Sequence, residues 1–115
     1  MRLGIVLVLL FVLNCGPVLA ADQAITGEVM DLFCYATRDA RGKEHSQCAS
    51  SCIKANVPVG VLTDEGVMYI PLRADHKPAN PLFENLGGER VKVTGPVYEK
   101  NSTKFIVVNS VEKLK

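Results

Sequence analysis

A mainly β fold is predicted from three observations. Short runs with strand-like apolar alternation recur at 24–35, 59–63, 67–72, 90–98 and 104–108. Turn residues separate the second run from the third (Asp64-Glu65-Gly66) and the fourth from the fifth (99–103). Helical patterns fall in two of the remaining gaps, a longer one after the first run and a compact one after the third. Five strands with a helix between the third and fourth is the order of an OB-fold-like barrel, here with an inserted Cys/His helix between strands 1 and 2. An antiparallel meander with a capping helix is the alternative. The barrel accounts better for the long first run, because closure needs a strand that pairs on two sides.

The chain opens with Arg2 and the apolar run Leu3–Leu13, broken only by Gly4 and too short to span a bilayer. Val18-Leu19-Ala20 then places small residues at the positions a signal peptidase reads. Residues 1–20 are therefore expected to be a signal peptide, cut before Ala21, with the product periplasmic or secreted and without a stable membrane span. Lipid attachment at Cys15 fits poorly, since Asn14 stands where a small residue is expected. Removing the first 20 of the 115 residues leaves one small domain over 21–115, with 12 basic and 12 acidic residues. That balance offers no electrostatic footprint for nucleic acid, and no basic amphipathic helix points to a membrane surface.

Along the first run, Ile25, Gly27 and Val29 carry one apolar phase and Met30, Leu32 and Cys34 the other, which predicts a bulge or bend. Gly27 marks either that bend or a close backbone approach. A polar loop over 37–43 precedes a helix over 44–56, packed through Ala49, Ile53 and Ala55 and stopped by Pro58. The 59–63 and 67–72 runs form a hairpin around Gly66. At 80–87, Asn80 reads as a cap, Pro81 as a first helical residue and Gly87 as a stop. The run 90–98 puts Val91, Val93 and Gly95 on one face and Lys92 and Thr94 on the other, and 104–108 is the last clear strand, extended by Val111.

The chemistry-bearing residues collect in the insertion, 34–56. His45, Cys48 and Cys52 are spaced i, i+3 and i+7, within roughly 60° of one another around a helix. With Cys34 from the first run they make four candidate metal ligands, three sulfurs and one imidazole, a set suited to zinc or copper. His-x2-Cys-x3-Cys is not a familiar zinc-finger spacing. The Cys-x3-Cys pair with a nearby His is similar to copper chaperones of oxidase assembly and to the binuclear copper centre of oxidases, although that centre places its His after the second Cys. Met30, Met68 and His76 could add soft or imidazole donors but read more simply as core or loop residues. Asp31 and Tyr35 are either groups that orient His45 or, the favoured reading, an ordinary turn acid and a packing aromatic.

Two further readings stay open at this point. Export leaves three cysteines in an oxidising compartment, an odd number, so one must be free, shared or held on a metal. Cys34 paired with Cys48 or Cys52 would give a disulfide-stapled binding or assembly module; Cys48 and Cys52 could serve a thiol-disulfide redox protein. There is no Cys-x-x-Cys-His haem motif, no Ser-His-acid or paired-carboxylate set and no phosphate loop, so a non-enzymatic binding role is expected.

The stretch Gly27-x-Val29-x-Asp31-x-x-Cys34-Tyr35, followed by His45-x-x-Cys48-Ala49-x-x-Cys52-Ile53-Lys54 and by Pro58-Val59-Gly60-Val61-Leu62-Thr63, resembles a group of small exported bacterial OB-fold-like proteins that carry a Cys/His insertion. The resemblance covers most of 25–112 and implies export and the barrel, with no activity to carry over.

Overall fold

The computed structural model describes residues 20–115 and Gly16. The signal-peptide reading of 1–20, apart from Gly16 and Ala20, and the lipidation reading of Cys15 lie outside the described residues. The elements are β1 Asp22–Asp31, α1 Leu32–Arg38, a 3-10 turn at Lys43–His45, α2 Ser46–Lys54, β2 Val59–Thr63, β3 Met68–Leu72, a second 3-10 turn at Asn80–Leu82, β4 Arg90–Lys100, β5 Thr103–Val107 and β6 Ser110–Lys113.

The strands run in the order β1-β2-β3-β5-β4, and β1 returns to pair with β4, closing a five-stranded ring with β6 added outside on β4. All pairs are antiparallel except β3 with β5, which is parallel. The long first strand does pair on two sides: 22–28 lie against β4 and 27–31 against β2. Gly27 belongs to both ladders, and a Cβ there would stand 2.5 Å from the Leu62 carbonyl oxygen, so the close approach expected at this glycine is real.

The apparent phase change in β1 is not a bulge. The strand ends at Asp31 and Leu32–Arg38 is helical, so Cys34 belongs to a helix and not to a strand end. Asp31 explains the switch: its Oδ1 accepts from the Cys34 backbone N at 2.8 Å, a side-chain N-cap that satisfies a free helix donor. The Leu32 backbone N donates to the Pro58 carbonyl (2.9 Å), which brings the two ends of the insertion together.

At 80–87 only one 3-10 turn forms, and Asn80 caps a different element. Its buried Nδ2 donates to the Ile53 carbonyl at 2.9 Å and the Val57 carbonyl at 2.7 Å, closing the C-terminal end of α2. Gly87 is the seat of α2: a Cβ there would stand 2.6 Å from the Ser50 backbone N, and it is the following Gly88 that takes the left-handed φ of +71°. Ile53 from α2 and Phe83 from the 3-10 segment, both fully buried, join Ile25, Val29, Val61, Val91, Val93 and Ile106 in one core. Each such side chain contributes about 1.5–3 kcal/mol by leaving water. The insertion is thereby an integral cover on the end of the barrel where β1 stops and β2 starts.

Candidate metal centre

The insertion folds as two short helices that face each other across a sulfur cluster. α1 stops at Asp39, in the left-handed region at φ 51°, with the Asp39 N–H on the Tyr35 carbonyl and the Ala40 N–H on the Cys34 carbonyl. α2 is oriented by burying Ala49 and Ile53 and by the Asn80 clasp at its far end. Burying that stripe leaves Cys48 and Cys52, one turn apart, on the neighbouring stripe.

The sulfurs of Cys34, Cys48 and Cys52 lie within 4.8 Å of one another. A metal with sulfur bonds of about 2.3 Å in tetrahedral geometry sets its sulfurs about 3.8 Å apart, so closing the cluster on an ion needs side-chain adjustment of about an ångström. Exposure grades across the site: Cys34 is buried, Cys52 half-buried and Cys48 exposed. All three are free thiols, so the alternative reading of a staple from Cys34 to either partner is not borne out.

His45 forms the end of the 3-10 turn and precedes α2, off the regular helix in which it was expected. Its ring groups with Cys34 and Asp31, again within 4.8 Å, but does not join the full set of sulfurs at that distance. The four predicted ligands thus fall into two overlapping triads that share Cys34. His45 Nε2 donates to Asp31 Oδ2 at 2.9 Å, and the Asp31 side chain is wholly buried. A carboxylate only accepts, so Nε2 carries the hydrogen and Nδ1 is the nitrogen left over. Asp31 is therefore no ordinary turn acid: one oxygen caps α1 and the other fixes the imidazole. Tyr35 is half-buried and does not bond to His45.

Burial pushes the Cys34 thiol up to about 11, and the neighbouring Asp31 pushes the same way. Burial, then Asp31 and Cys48, raise the Cys52 thiol. Burial would raise Asp31 as well, but the hydrogen bonds from the Cys34 backbone and from His45 outweigh it and hold the carboxyl below its ordinary value. Buried thiols with raised values are the reverse of the thiolates a redox enzyme exposes for attack. They are compatible with metal binding, in which the ion itself displaces the proton.

One participant was not read from the sequence. Arg38 Nη2 stands 3.4 Å from Cys34 Sγ, one helical turn on, and sets a fixed cation against the buried sulfur. Its i, i+4 relation to Cys34 means nothing until 32–38 is known to be helical. Met30 is a core residue, Met68 packs its sulfur close over Gly60, and His76 sits in an exposed turn at φ 62°. The chain has no significant match to protein-family models, curated proteins or solved structures.

Proposed function

We propose that this is an exported, non-enzymatic metal-binding protein of the periplasm or exterior, holding zinc or copper at Cys34, Cys48 and Cys52. His45, oriented by Asp31, is the one imidazole available for a fourth position. The observation that carries the reading is the convergence of three free sulfurs from two helices. Thiolates and imidazole are the donors zinc and copper(I) favour, and a carboxylate on the far nitrogen of a histidine is the usual support for a metal-binding ring. Binding would tie α1 to α2 and add folding free energy to a domain of modest size.

Export rests on the 1–20 pattern and is tested by the mass of the protein recovered from outside the cytoplasm, which should lack those residues. Metal analysis with thiol counting on the same material tests the site. One equivalent of metal, with three thiols titratable after chelation and unfolding, is the expected result. One thiol and no metal would mean a disulfide-stapled module instead.

A further inference from the structure

Resting on that reading, we infer that the ion is copper(I), held by the three sulfurs alone, and that the Cys48 edge is where it is exchanged with other thiol or thioether donors. A closed zinc site needs four ligands in a tetrahedron. Here three sulfurs converge, whereas the imidazole is bonded to a fully buried carboxylate and stays outside the full sulfur set at 4.8 Å. A soft monovalent ion is satisfied by three thiolates and does not call on that ring.

The charge left by the sulfurs is partly compensated. Three thiolates on a monovalent ion leave two negative charges, and Arg38 at Cys34 Sγ offsets one of them at the closed side of the site. No acid belongs to the sulfur triad itself; Asp31 groups with Cys34 and His45 and acts on Cys52 only through its charge. The open side is the other feature. Cys34 is 2 % exposed, while Cys48 lies on the surface, so an incoming sulfur donor reaches the ion beside Cys48 with no need to open the fold. A buried structural site would require unfolding for exchange. This one is built for displacement, in which the ion passes from three sulfurs to a mixed set and then to the acceptor, with no change in its oxidation state.

The test is an anaerobic titration of the reduced protein, as isolated and stripped of metal, with copper(I) against a colorimetric copper(I) chelator. X-ray absorption on the loaded form accompanies it. Expected are one ion per chain, sulfur neighbours only, and transfer to the chelator at a rate that rises linearly with chelator concentration. Cys34→Ser, Cys48→Ser and Cys52→Ser should each lower affinity at least a hundredfold. His45→Gln, which keeps a donor for Asp31, should leave affinity within about threefold and the absorption spectrum unchanged. A nitrogen neighbour, a tenfold loss in His45→Gln, a transfer rate independent of chelator, or zinc binding without copper(I) binding would each overturn this inference while leaving the metal-site reading standing. Binding of neither ion would overturn both. Circular dichroism on each variant separates lost ligands from lost fold.

Discussion

Replacing Asp31 separates its two jobs. Asp31→Ala removes the cap on Cys34 N, about 1 kcal/mol, and the charge-assisted bond from His45, about 1.5–3 kcal/mol. Part of this returns because a carboxylate need no longer be buried, which leaves a net loss of about 2–3 kcal/mol. Asp31→Asn keeps an oxygen for the Cys34 N–H and presents an amide N–H to the other imidazole tautomer, so it should lose only about 1 kcal/mol. The assay is urea unfolding of the metal-free, reduced proteins followed by circular dichroism. The pH dependence has a definite sign. The folded-state carboxyl is held below its ordinary value, so its stabilisation is complete above the unfolded value near 3.9 and is lost as pH falls through the folded one. The gap between wild type and Asp31→Asn should be flat from about pH 5 to 7 and narrow below about pH 4. Equal losses in the two variants, or a gap that widens in acid, would refute the double role of this side chain.

Alkylation of the metal-free protein should label Cys48 first, Cys52 next and Cys34 last, with at least a tenfold rate difference between the extremes. Peptide mass spectrometry reads the order, and simultaneous labelling would mean that the insertion opens as a unit. Asn80→Ala should destabilise by about 2–3 kcal/mol, because the Ile53 and Val57 carbonyls lose their side-chain donor at the end of α2. A change below about 0.5 kcal/mol in the same unfolding assay would show that the clasp is replaced by solvent.

The barrel was legible because strand alternation and turn chemistry are local signals. The β2–β3 hairpin and its Gly66 turn, and the glycine at the β1 crossover, stand close to where the pattern puts them. What failed was the reading of 30–38. Met30-Asp31-Leu32 looked like a strand changing phase, whereas a buried Asp was ending the strand and capping a helix. Alternation cannot tell those cases apart over a few residues, because i and i+4 apolar positions satisfy both periods for a turn or so. The outer strand β6, read as an extension of β5 through Val111, does continue it: β5 lies along 97–100 of β4 and β6 along 91–94 in the same direction, with one extra residue between the two ladders. Three of the proposed ligands do converge, but the partition of His45 toward Asp31 depends on the 3-10 turn, a conformation with no distinct apolar signature. Likewise Asn80 had every mark of a cap, and only the tertiary fold decided for which helix.

The insertion also changes the order in which this barrel can assemble. Its first ladder joins Asp31 to Val59 directly, so the intervening segment is a long loop where a simple hairpin would have a few residues. Closing such a loop carries an entropy penalty of about 3 kcal/mol before any strand contact repays it, several times that of a tight turn. α1 and α2 are each local and quick to form, whereas the β1–β2 ladder is a long-range pairing. An ion that gathers Cys34, Cys48 and Cys52 in the unfolded chain would shorten the effective loop to a few free residues. Metal would then speed folding as well as stabilise the folded form, and chelation would slow it.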